Sequence, residues 1–112
     1  MLEWARSRPH WIRETVEDKT LLMFHSTPWE PFGEYVYPHS GELSRFGEVD
    51  ADFAIYGHTH MKVARTFNGT LVVNPGSTGL GQDPSNDRKL SYAVLDTTSG
   101  HVAFEDFDDP SI

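Results

Sequence analysis

Apolar residues in this chain gather in short runs, each of which stops at polar, turn-forming residues. Leu21-Leu22-Met23-Phe24 ends in His25, Phe53-Ala54-Ile55-Tyr56 ends in Gly57-His58, and Thr70-Leu71-Val72-Val73 ends in Asn74-Pro75-Gly76-Ser77. Runs of this length, bounded by turn formers, read as buried strands. Their matching polar ends predict neighbouring strands of one sheet that terminate on a common cleft, with Gly57 taking a positive φ at a sharp turn. Hairpins surround them. Residues 12–16 and 20–25 flank Glu17-Asp18-Lys19, the β-branched residues favouring strand and the charged triplet favouring turn. Residues 62–67 and 70–74 flank Asn68-Gly69, a pair suited to the positive φ of a type I′ turn. Residues 91–96 and 101–107 flank Thr97-Thr98-Ser99-Gly100.

Helical signals are few. Residues 40–49 predict a helix with Ser40 as N-cap and with Leu43, Phe46 and Val49 on one apolar face. A shorter helical segment over residues 2–7 is stopped by Pro9. The stretches 29–39, rich in proline and aromatics, and 79–89, with Gly81, Pro84, Asn86 and Asp87, read as loops. The expected fold class is α/β of the α+β kind, a mostly β layer with one or two helices upon it. No internal repeat, low-complexity tract or linker divides residues 1–112.

With 112 residues, 38% of them hydrophobic, the chain has material for one small core. Its apolar runs are far shorter than the ~20 residues of a membrane span, and no basic-apolar signal segment opens it. A cytoplasmic protein with no membrane partner is expected. Cysteine is absent, so any metal must be held by nitrogen and oxygen. The net charge of −8, from 9 basic and 17 acidic residues, opposes nonspecific binding to a nucleic-acid backbone. A small phosphorylated substrate stays compatible, because bound cations supply local positive charge. Much of the acidic excess lies in residues 105–110, expected to be a solvated, partly disordered tail.

His58-Thr59-His60 is the pattern with most chemistry in it. On extended backbone, side chains at i and i+2 point to one side and stand roughly 6.6 Å apart along the chain. That suits one ligand for each of two ions about 3.5–4 Å apart. Alternating histidines also occur on solvated strand faces, and His25 taken alone reads more readily as a buried imidazole bonded to backbone. Asn74-Pro75-Gly76-Ser77 fits either a plain type II turn or a role in shaping the cleft. His10, His39 and His101 belong to no motif and are expected at the surface. Asp50 and Asp52 lie at the opposite end of the strand from His58.

Phe24-His25-Ser26-Thr27-Pro28, Gly57-His58-Thr59-His60, Asn74-Pro75-Gly76-Ser77-Thr78-Gly79 and Ser91-Tyr92-Ala93-Val94-Leu95-Asp96 occur in that order. Together they resemble the C-terminal half of calcineurin-like metallophosphoesterases, closest to the small bacterial and archaeal phosphodiesterases. The resemblance implies the C-terminal part of one layered αββα sandwich, with the N-terminal half of the domain outside this chain. It implies a dinuclear divalent-metal site, manganese first, with iron, zinc, cobalt or nickel as alternatives. His25 and His58 would share one ion and His60 would hold its neighbour. Ser26 departs from the glycine usual after the first histidine.

The family's other ligands, carried by D-x-H, G-D-x-x-D and G-N-H strings, occur nowhere in residues 1–112. Neighbouring cations repel unless an anionic oxygen lies between them, so three imidazoles alone would bind two ions poorly. No general acid is assigned within this chain, and the isolated chain is expected to be inactive. The expected function is metal-dependent hydrolysis of a phosphodiester or phosphomonoester, completed by a complementary N-terminal segment. The alternative is a noncatalytic protein-interaction scaffold, since a retromer subunit shares this fold. Surface left bare by half a sandwich also predicts homo-oligomers.

Overall fold

The computed structural model describes residues 11–27, 29, 35–82, 84 and 87–110. Its elements are β1 (Trp11–Val16), β2 (Lys19–Phe24), a 3-10 helix (Gly41–Glu48), β3 (Phe53–Ile55), β4 (Val63–Phe67), β5 (Thr70–Asn74), β6 (Leu90–Leu95) and β7 (Val102–Phe107). Five strands form one sheet in the order β1-β2-β3-β5-β4, and β6 pairs with β7 in a second. This is the mixed, mostly β architecture that the apolar runs imply. The short helix expected over residues 2–7 lies outside the described residues.

Turn chemistry sets the two outer hairpins of the larger sheet. Glu17 and Asp18 both have positive φ, 50° and 65°, so the first loop has only these two residues and Lys19 already pairs with Val16. Asn68 and Gly69, at 51° and 84°, make the corresponding loop between β4 and β5. Such paired left-handed conformations match the twist of the strands they join.

The three strands between those loops run parallel. Leu22 lies beside Ala54, and Ala54 beside Val72. In open sheets of this kind the crevice beyond the carboxyl ends of parallel strands is where ligands are bound. Here it receives His25, Gly57-His58 and Asn74 together.

Period-two alternation turns Leu22, Phe24, Ala54 and Val72 to one face, where they join Val36, Leu43, Phe46, Tyr56 and Val63 in the core. Phe46 anchors that cluster, with ring centroids 5.4 Å from Phe24 and 4.9 Å from Tyr56. It comes from the 3-10 helix, whose N-cap Ser40 accepts the Glu42 N–H. Leu43 and Phe46 stand three apart and so eclipse one another at three residues per turn. Gly47 lets this helix touch β4: a Cβ there would lie 2.9 Å from that of Phe67.

The smaller sheet is tied on by polar contacts. Ser91 Oγ donates to Pro75 O, its N–H to Ser77 O, and Lys62 pairs with Asp106 at 2.9 Å. Thr97 and Thr98 hydroxyls both donate to Glu17. The acidic stretch expected to be a loose tail is thus partly strand: β7 extends to Phe107, and pairing with β6 together with the Lys62–Asp106 bridge offsets the cost of ordering it. Among the described residues no helix is long and apolar enough to cross a membrane.

Candidate metal centre

The site grows from the ends of β2, β3 and β5. Past the last strand residues the backbone stays paired, Tyr56 N–H donating to Val73 O at 3.0 Å and Gly57 N–H to His25 O at 2.9 Å. His25 and Gly57 are therefore neighbours by main-chain geometry alone. The chain then departs from the extended course expected for His58-Thr59-His60: β3 stops at Ile55, and His58 and His60 take left-handed φ of 69° and 60°. Gly57, expected to supply the positive φ, does not. The imidazoles consequently do not project from one strand face with the anticipated spacing.

Asn74 holds this bend. Its side chain is fully buried. Nδ2 donates to Gly57 O and to Thr59 Oγ1, both at 3.1 Å, and Oδ1 accepts the Gly76 N–H at 3.0 Å. Thr59, also buried, accepts the Met61 N–H as well. Both amide donors of Asn74 and one acceptor lone pair are thus used, pinning a two-histidine bend that L-residues adopt only under constraint. Gly76, at φ 86°, completes the turn, and a Cβ there would collide with Ser91 Oγ.

Within the bend, His25 Nε2 and His58 Nδ1 lie 2.9 Å apart, their rings edge-on at 62°. Burial, then the charges of His58 and His60, hold His25 below the usual histidine pKa, which favours the neutral, ligating imidazole. Nε2 of His58 and Nδ1 of His60 are buried with no hydrogen-bond partner. Two nitrogens on adjacent positions of one ion, each about 2.1 Å from it, would stand about 3 Å apart, so the His25–His58 pair fits a shared ion. The orphaned His60 Nδ1 is a further candidate donor, whereas Nε2 of His58 lies on the opposite edge of the ring from the paired Nδ1. The fit is partial: among the described residues no three histidine or carboxylate side chains are grouped so as to hold an ion.

Other candidates fall where their surroundings put them. His39 and His101 are exposed, and His10 lies outside the described residues. Asp52 accepts the Thr20 N–H and Arg13 donates to Asp50 O, both at the far end of the sheet. The sequence reading passed over Tyr35, whose ring stacks on His58 at 3.9 Å and 22°. The signal was there in Tyr35-x-Tyr37-x-His39, an alternation hidden inside a presumed loop. Buried Tyr56 supports the same segment: its hydroxyl donates to Val36 O at 2.8 Å, and burial pushes its pKa up to about 12.

Residues 2–100 match the calcineurin-like phosphoesterase superfamily domain. The chain belongs to that superfamily. Calcineurin-like phosphoesterases generally use divalent metal ions, which agrees with the nitrogen donors at the strand ends. A protein of Methanocaldococcus jannaschii is 27% identical to this superfamily member over 85% of this chain and 44% of that protein. A metallophosphoesterase from Sphaerobacter thermophilus shares the fold, with a TM-score of 0.77 at 21% identity over 96% of this chain and 51% of that one. Vps29 from Entamoeba histolytica also shares it, with a TM-score of 0.59 at 20% identity over 92% of this chain and 63% of that one. The chain spans about half the length of the first two.

Proposed function

We propose that this chain is part of a metal-dependent phosphoesterase of the small phosphodiesterase branch, in which His25, His58 and His60 are metal ligands. The observation that carries this reading is the His25–His58 pair at 2.9 Å, with the buried, unpartnered Nδ1 of His60 two residues on. Two divalent ions, manganese first, would supply Lewis acidity toward a phosphoryl oxygen and would acidify water near neutral pH. The chain's own part is positioning. His25 stays neutral and shares a proton or an ion with His58, while Asn74 and Thr59 fix the bend that aims both histidines. The bridging carboxylate and the general acid come from a complementary segment, so this chain corresponds to the C-terminal half of one domain and is inactive alone.

A second reading is a noncatalytic interaction scaffold, prompted by the fold shared with Vps29; the absence of a three-ligand group among the described residues is compatible with both readings. Hydrolysis of bis(p-nitrophenyl) phosphate with manganese separates the two. The chain alone should give no turnover above buffer. Joined to a segment bearing the missing carboxylates it should turn over, and His58→Ala should remove at least nine-tenths of the rate, since loss of a ligand or its support typically costs ~10–100-fold. Metal uptake without hydrolysis of any phosphate ester would favour the scaffold.

A further inference from the structure

Above His58 the structure builds a staircase of flat rings. Tyr35 lies on the His58 imidazole at 3.9 Å, Tyr37 follows Tyr35 at 5.8 Å and 9°, and His39 follows Tyr37 at 5.6 Å and 10°. Centroids that far apart in nearly parallel planes mean offset stacks, which leave part of each ring face uncovered.

The staircase is anchored from beneath. Val36, between the two tyrosines, is buried at 1% exposure, its carbonyl takes the Tyr56 hydroxyl, and the Tyr37 carbonyl takes the Ser40 N–H at 2.9 Å. With Val36 committed to the core, its neighbours turn outward, and Tyr35 stays 54% exposed. Scattered exposed aromatics are ordinary. Three aligned rings continuing from a proposed metal ligand are not scattered.

We infer that Tyr35, Tyr37 and His39 form a stacking platform for a flat conjugated ring carried by the phosphoester, an aryl group or a nucleobase. The inference rests on the phosphoesterase reading for the phosphate and on the ring geometry for the remainder. Stacking on an aromatic side chain tolerates any π-face, so the platform selects flatness. Because His58 already covers one face of Tyr35, an incoming ring takes the uncovered part of Tyr35 or Tyr37, from which an attached phosphate would have to reach back past Tyr35 to the histidine. Tyr35 is thus a residue that discriminates ring-bearing from alkyl phosphoesters.

Calorimetric titration of the manganese-loaded chain joined to a segment bearing the missing carboxylates tests this, using phenyl phosphate, uridine 5′-monophosphate, ethyl phosphate, and the ring compounds phenol and uridine without phosphate. The two ring-bearing phosphates should bind about tenfold tighter than ethyl phosphate. Tyr35→Leu should erase that difference, and Tyr35→Phe, which keeps the ring, should retain it. Phenyl phosphate gaining more than the uridine compound would identify an aryl group as the source, and the reverse a nucleobase. Equal binding of ring and ethyl phosphates, or a preference surviving both Tyr35→Leu and Tyr37→Leu, would overturn the platform while leaving the phosphoesterase reading intact. Tyr35-dependent binding of phenol and uridine with no gain from phosphate would keep the platform and sink the phosphoesterase reading. No binding by any of the five would overturn both.

Discussion

Asn74 carries more of the site than either residue beside it in the Pro75-Gly76 turn. Truncating it to alanine removes three hydrogen bonds. Gly57 O keeps the Thr59 N–H and Thr59 Oγ1 keeps the Met61 N–H, while the Gly76 N–H loses its side-chain acceptor, and each bond contributes ~0.5–1.5 kcal/mol. Asn74→Ala should therefore lower the unfolding free energy by roughly 3 kcal/mol in urea titration, and more than Thr59→Val, which keeps the Gly57 contact. Equal losses for the two variants would assign the clamp to Thr59 instead. The clamp was not legible in the sequence, because its partners Gly57 and Thr59 stand 17 and 15 positions away and a polar residue ending an apolar run looks like any turn former. His58 and His60 show the same limit. Their residue type and their neighbour His25 were readable from the string, but the left-handed backbone that turns them was not, since it is imposed by Asn74 from another strand.

At the scale of elements, the hairpins were the most readable part, because Asn68-Gly69 and the charged Glu17-Asp18 pair encode their turns locally. The segment 40–49 was readable as helical, with Ser40 as cap and Leu43 and Phe46 inward. Its 3-10 winding was not, as it reflects two poor helix formers, Gly41 and Gly47, and the close approach to Phe67. Gly76 joins two elements. Gly76→Ala should destabilise the fold by roughly 2 kcal/mol, from left-handed strain of about 1–2 kcal/mol and the collision with Ser91 Oγ. Adding Ser91→Ala should relieve the collision while leaving the strain and removing the Ser91–Pro75 hydrogen bond, so that the double variant is less destabilised than the sum of the two single ones. In the β6–β7 turn, Asp96 accepts the Thr98 and Ser99 N–H groups, with the Ser99 bond the larger cause of its lowered pKa. A carboxylate depressed in the folded state adds stability above the unfolded value of 3.8 and loses it as pH falls through the folded value. Hydrogen exchange at the Thr98 and Ser99 amides should accelerate below that range relative to the intrinsic rate. Unchanged protection there would detach the turn from Asp96.

The whole molecule buries one face of its larger sheet well and the outside of its smaller one poorly. Tyr92, Val94 and Phe107 stand 46%, 58% and 36% exposed, the first and last with rings 6.3 Å apart, and Met23 is exposed on β2. Apolar area of this kind favours association, so sedimentation velocity should show mass rising with concentration, and Val94→Lys should suppress it. A compact monomer at every concentration would mean that these residues are isolated rather than contiguous. The convergence of three strand ends on one crevice was visible in the apolar runs, whereas the layering of β6–β7 was not, since it rests on single long-range contacts such as Lys62–Asp106. What most directly decides whether that crevice is a metal centre is zinc titration followed through histidine ring-nitrogen NMR shifts. His25 and His58 should move together while His39 and His101 stay still, and His58→Ala should abolish the response at His25. Zinc that shifts only His39 or His101, or that leaves His25 and His58 unperturbed, would contradict the metal-centre reading outright.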